Sequence, residues 1–272
     1  MVRTRKLPSA AASLHGTDDE YTEVDSLRRG LEILRLFDTR HRSLQPSEIA
    51  AKLGLSRATT AKLTATLEAH NFLRPSGSAG SLEPHVACLA LGRAVKRGLD
   101  IIPVALPHMR ELSQRFDVHV SLTTRDRLHM LVIEHCVPPG KMRLGLDSGA
   151  LLPMVDSASG RAYLWAQAPA VRSKLLESLK DREDDGSFKL MSSVYAALQE
   201  LEEKGWCFLA SPVTSQTCSI ATPIRGDGGA DFALAAMAVG PGRVEQKLRD
   251  AVAPELLAVS ELMSQELRRS RR

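Results

Sequence analysis

Between Ser26 and His85, apolar residues recur at helical spacing in three short runs separated by turn residues. Leu27, Leu31, Leu34 and Phe37 form the first run and predict an amphipathic helix with that stripe inward. Leu44 and Pro46 interrupt it. Ser47 and Glu48 open a second helix that turns Ile49, Ala50 and Leu53 inward, with Pro46 near its first turn. Gly54 is placed to end it in the left-handed conformation. Ser56 is a good N-cap for a third helix over about 57–70, with Ala58, Leu63 and Leu67 as its stripe. Phe72, Leu73 and Arg74, followed by the turn-rich PSGSAGS, predict a two-stranded hairpin with a Gly/Ser tip. A helical connector over 86–99 follows.

Past Asp117 the pattern alternates. Strands are predicted over 118–123, 128–134, 142–146, 206–210, 219–223 and 232–239. Helices are predicted over 109–116, after Pro103 and Pro107, and over 157–166, 171–179, 192–204 and 244–268. Strands and helices mix without strict alternation, which argues for an α+β domain rather than a doubly wound parallel sheet. Residues 1–23 are rich in Ala, Ser and charge without an apolar period, and predict a disordered leader. The expected organisation is a leader over 1–23, a winged helix-turn-helix over 24–85, a helical linker over 86–100 and a second domain over 101–272.

Composition narrows the class. The chain is 43% hydrophobic and 25% charged, the proportions of a soluble globular protein. No apolar run approaches the ~18 residues of a membrane span, and the start has no sustained apolar segment of a secretory signal, so a cytoplasmic protein is expected. The formal charge is +4, and from Val24 to His85 nine basic residues face six acidic ones. Cys88, Cys136, Cys207 and Cys218 show no C-x-x-C spacing. His129 and His135, six apart on a predicted strand, would share a face, but no third and fourth ligand accompanies them, so no metal and no cofactor is expected. DSASG lacks the first glycine of a nucleophile elbow, and there is no phosphate-binding or dinucleotide fingerprint.

Three short helices and a hairpin in about 60 residues make a winged helix-turn-helix. In PSEIAAKLGLSRATTAKLTATL, small Ala50 lets the two helices approach, Gly54 supplies the turn and Leu63 locks the crossing. The second helix of such a pair enters the major groove by its N-terminal residues. Those residues are Ser56, Arg57, Thr59, Thr60 and Lys62. Arg57 can fork onto guanine or phosphate, and Lys62 suits a phosphate. The wing offers Arg74 alone, so its contribution should be small.

SLRRGLEILRLF and the helix-turn-helix segment resemble the N-terminal domain of IclR-type bacterial transcription regulators. LPMVDSASGRAYLWA and SIATPI are similar to two stretches of that family's C-terminal domain. The resemblance implies a GAF-like α/β effector-binding domain, a palindromic double-stranded DNA operator, a small-molecule effector, and a homodimer or dimer of dimers. It also points to effector contacts at Leu144, Leu146, Met154, Ser159, Gly160, Phe208, Ser219, Met237 and Val239. The family pattern has an arginine where Lys62 stands, and EPHVACLALG replaces its usual second wing strand. Acidic residues common in acid-sensing relatives are missing from GWCFLASPV, and the last strand reads LAAMAV where small hydroxyls are usual. The implied pocket is therefore more apolar, suited to a larger, less polar effector such as an aromatic acid. Independently, Asp156 and Ser157 precede a helix that begins Ala158-Ser159-Gly160, whose N-terminus would favour a carboxylate, while plain capping by Ser157 explains the same residues. The alternative is a small-molecule hydrolase or isomerase with its site at Ser157 to Gly160; a helix-turn-helix used for protein contacts is a third reading.

Overall fold

The computed structural model describes residues 23–38, 41–77, 80–180, 187–210, 217–226, 229–240 and 244–270. All of the expected leader except Glu23 lies outside the described residues. The chain divides into two compact units, Met1–Ala94 and Val95–Arg272.

The first unit contains α1 (Asp25–Leu34), α2 (Pro46–Leu53), α3 (Arg57–Ala69), β1 (Leu73–Pro75) and β2 (Leu82–Pro84). Its core is Ile33, Leu44, Ile49, Leu73 and Leu82, with Leu53, Leu63 and Leu67 packed against it. β1 and β2 pair antiparallel, and Leu44 bridges to Leu82. Local chemistry sets the turn. Glu48 Oε2 accepts from the Gln45 N–H at 2.7 Å to start α2, and Gly54 ends it at φ 64°. Ser56 Oγ then accepts from the Thr59 N–H at 3.1 Å to start α3. Ser56→Ala is expected to lower the stability of this unit by about 1 kcal/mol. The check is a lower urea midpoint at unchanged slope.

Two helical faces differ from the sequence reading. In α1 the buried residues are Gly30 and Ile33, while Leu27 and Leu31 are 62% and 53% exposed. In α3, Ala58 is exposed while Thr60 and Thr64 are buried. Threonine can turn inward there because its hydroxyl is satisfied on its own helix. Thr60 Oγ1 donates to Ser56 O and Thr64 Oγ1 to Thr60 O, both at 3.0 Å. The connector forms α4 (Cys88–Arg97), which buries none of its residues.

The second unit is a six-stranded antiparallel sheet between two helical layers. Its strands are β3 (His119–Asp126), β4 (His129–Cys136), β5 (Leu151–Pro153), β6 (Cys207–Ala210), β7 (Thr217–Arg225) and β8 (Ala230–Val239), in the order β5-β4-β3-β8-β7-β6. One face meets α5 (Ile101–Phe116) and α10 (Ala253–Ser270) through a core including Val120, Leu122, Ile220 and Leu234. The other face meets α6 (Ala158–Trp165) through Ala221, Ala233 and Ala235, with α7 (Pro169–Lys180) and α8 (Ser187–Lys204) packed against α6.

Here too the elements depart from pattern. The strand expected over 142–146 is an irregular loop, since Gly145 takes φ 70°, outside the β region. The strand at that end is instead the short edge β5, closed by Pro153. α5 begins at Ile101, ahead of both prolines, because Ile101, Ile102 and Ala105 are buried with Met109 and Leu112. The long final helix is divided into α9 (Val244–Lys247), a π-helical segment Leu248–Val252, and α10. The wider turn keeps Leu248, Val252 and Ala253 all buried. Among the described residues no helix is long and apolar enough to cross a membrane, and no group of three His, Cys, Asp or Glu could hold a metal ion.

Candidate DNA-reading surface and effector site

The exposed residues of α3 are Arg57, Ala58, Ala61, Lys62, Ala65, Thr66 and Ala69. Ala58, Ala61, Lys62 and Ala65 follow the i, i+3, i+4, i+7 spacing of one helical face, with Arg57 at its N-terminal end. Four of the six expected DNA contacts sit where they could serve, namely Ser56, Arg57, Thr59 and Lys62. Ser56 and Thr59 are also tied to each other, with their hydroxyls 2.8 Å apart. Thr60 does not sit there: it is 1% exposed and faces the core. Arg74 is exposed but its guanidinium lies 2.7 Å from Glu83 Oε1, so the wing's cation is already neutralised by a neighbour. Ala58, expected in the inward stripe with Leu63 and Leu67, instead joins Ala61 and Ala65 on this exposed face.

In the second unit, register assigns each expected effector residue to a face. Ala233 and Ala235 lie in the α6-side core, and β8 alternates, so Met237 and Val239 share that side. Ser219 pairs with Met237 and joins them. Opposite on β3, His119 pairs with Met237 and Ser121 with Ala235. His135 of β4 pairs with Ser121. One cluster therefore holds Ser219, Met237 and Val239 together with His119, Ser121 and His135.

Phe208 is not among them. It pairs with Ile220 and packs on the α5/α10 side, with the Arg249 guanidinium 4.1 Å from its ring centre. Leu209, its neighbour, takes the α6 side. Met154 is fully buried against α6, and its amide donates to Leu128 O at 3.2 Å, at the far end of β3 from His119. Gly160 is required by that same residue. A Cβ built on Gly160 would stand 2.1 Å from Met154 O, so the approach of protein backbone by itself requires glycine here. Ser159 is buried in the first turn of α6, and Leu144 and Leu146 are half-buried in the loop after β4.

Ser157 caps α6, its Oγ accepting from the Gly160 N–H at 3.1 Å. Ala158 O accepts from Cys207 Sγ at 3.5 Å beside mid-sheet Ala221, and Gln167 Nε2, past the other end of α6, donates to Ala230 O at 2.9 Å. The N-terminal end of α6 is thus turned toward the half of the sheet that carries His119, Ser219 and Met237. The buried Arg161 guanidinium anchors the helix on Val155 O (2.9 Å), Ser193 O (3.2 Å) and Ser193 Oγ (2.9 Å), and burial pushes its pKa down.

His129 and His135 do not share a face. The β3–β4 register shifts between Leu122 and Thr123, which pair with Glu134 and Val132, so Ile133 is the extra residue. That bulge inverts the alternation, and the partner of His135 is His119. A cleft of about 360 Å³ lies elsewhere, on the α10 side, lined by Trp165, Thr222, Arg225, Ser264 and Arg268 among others. None of the expected effector residues lines it. Its polar groups serve the fold, as where Ser264 Oγ accepts from the Arg225 N–H at 2.9 Å.

Residues 26–77 match the IclR helix-turn-helix domain, and residues 93–265 match the family described as "Bacterial transcriptional regulator IclR C-terminal". Among curated relatives, the HTH-type transcriptional regulator TsaQ1/TsaQ2 of Comamonas testosteroni is 34% identical over 185 residues, 67% of this chain and 66% of that protein, just under two thirds of its length. The Pca regulon regulatory protein of Pseudomonas putida is 26% identical over 241 residues, 87% of this chain and 82% of that protein. An IclR family regulator from Brucella abortus superposes with a TM-score of 0.82 at 29% identity, covering 91% of this chain and 94% of that one. The fold of an IclR homolog from Microbacterium hydrocarbonoxydans, crystallised with 4-hydroxybenzoate, is also similar, with a TM-score of 0.68 at 20% identity, covering 89% and 99%. These matches set aside the hydrolase or isomerase reading, whose Ser157 is a helix cap. The chain belongs to the IclR family of bacterial transcriptional regulators, with its helix-turn-helix and C-terminal effector domains, and is not an enzyme.

Proposed function

We propose that this regulator lays α3 in the major groove of a roughly palindromic operator and changes its operator affinity when a small aromatic or related organic acid binds the α6-side face. The observation that carries the reading is the solvent face of α3. Arg57 and Lys62 supply charge, Ala58, Ala61 and Ala65 supply small apolar surface, and the first turn contains no acid. Arginine forks onto guanine, and alanine methyls pack on thymine methyls. The N-terminal partial positive charge of α3 favours phosphate.

Homodimers fit the open apolar faces of the first unit, Leu27 and Leu31 on α1 and Leu89 (72% exposed) and Leu91 on α4. A dimer places two copies of α3 one helical turn apart on DNA. The ligand class rests on the Ser219, Met237 and Val239 cluster and on the 4-hydroxybenzoate complex of the Microbacterium relative. Titrating 4-hydroxybenzoate into the protein bound to fluorescent operator DNA tests the reading. A saturable change in affinity of about tenfold, the usual coupling range, is expected. An unchanged affinity at saturating acid would contradict it.

A further inference from the structure

The sheet half toward which the N-terminus of α6 is turned carries a polar pair that the family resemblance did not point to. His119 Nδ1 and His135 Nε2 are 3.2 Å apart, and the rings stack with centroids 5.3 Å apart at 21°. One ring donates to the other, and in either tautomer His135 Nδ1 is left buried without a partner. An unsatisfied buried nitrogen is costly in a protein that buries no ligand there. His119 itself is 5% exposed.

Burial lowers the pKa of His119 and brings that of His135 down to about 4, so the free pair is neutral at pH 7. The charged groups around it offset one another. Asp117 raises and Lys141 lowers His119, and these two pair at 2.9 Å. His119 and Arg143 lower His135 while Asp147 raises it, and Arg143 pairs with Asp147 at 2.8 Å. Once it carries a hydrogen, the buried His135 Nδ1 is free to donate to an incoming anion.

We propose that His119 and His135 are the polar anchor of the effector site, that they receive the carboxylate of an organic acid, and that the pair takes up one proton from solvent as the acid binds. In the bound state His135 carries the proton. Its Nδ1–H donates to the carboxylate and its Nε2–H to His119 Nδ1, which leaves neutral His119 with its hydrogen on Nε2. No nitrogen of the shared bond is then unsatisfied. This assignment rests on reading the α6-side face as the effector site and names the group that reads the acid. Because the bound pair holds a proton that the free pair lacks, affinity falls as pH rises between the free and bound pKa values. For a full proton the slope is about tenfold per pH unit.

Calorimetry on the full chain tests this with 4-hydroxybenzoate and its uncharged methyl ester, over about pH 6 to 8. Two buffers of different ionisation enthalpy give the proton count. The acid is expected to bind with uptake of close to one proton and to outbind the ester, most strongly at low pH. In His135→Gln the uptake disappears and acid affinity falls by about tenfold or more. Should that variant not fold, the wild-type proton count still decides. If acid and ester bind equally and without uptake, the anchor is overturned while the effector reading stands. If the acid does not bind at about 10 mM at any pH, far above ordinary effector affinities, both fall.

Discussion

Gly160→Ala is expected to destabilise the effector domain by about 3 kcal/mol or more, although helix propensity alone favours alanine there by about 1 kcal/mol. The sign follows from one contact. The new Cβ would lie 2.1 Å from Met154 O, and the obstacle is backbone rather than a side chain that can swing away. Relief requires α6 to move. That helix is buried from Ala158 to Leu164 and is held by Ser157 and the buried Arg161. Thermal unfolding of the variant beside the wild type gives the check, with a fall in Tm of several degrees expected. A rise in Tm would mean that the Met154–Gly160 approach is not part of the native packing.

Arg57→Ala is expected to weaken binding to the specific operator by about 1–3 kcal/mol and to relax the preference at one base pair. Lys62→Ala should instead weaken binding to all sequences alike and reduce the salt slope by about one ion. The difference rests on side-chain chemistry at two exposed positions of one helix. A planar fork at the N-terminal end would read a base edge, whereas a flexible ammonium one turn later would meet a phosphate. Thr60→Val should leave operator affinity nearly unchanged, because Thr60 is buried and its hydroxyl serves Ser56 O. Competition binding against single-base operator variants at two salt concentrations separates the three. Equal losses for all would contradict the assigned roles.

The helix-turn-helix was legible because its determinants are local. The cap at Ser56, the left-handed Gly54 and the Pro46 opening each act within a few residues, and each forms as the sequence implies. Thr60 turns inward although it is polar, because side-chain polarity does not decide direction where a helix carbonyl can satisfy the hydroxyl. The effector face was harder, since strand alternation makes neighbouring residues opposites. Phe208 packs on the α5/α10 side and its neighbour Leu209 on the α6 side, so a single residue step decides the face. The bulge at Ile133 had the same effect on His129 and His135. The His119–His135 pair joins positions sixteen residues apart across two strands, so no spacing rule could find it.

Recovery of the protein's own genomic fragments at two salt concentrations tests its role as a sequence-specific regulator most directly. Purified full-length protein is mixed with the fragment pool, and the bound DNA is sequenced. One or a few palindromic sites that persist at the higher salt are expected, with half-sites spaced by a whole helical turn. Uniform recovery that vanishes as salt rises would show charge-driven association alone and would contradict base reading by α3.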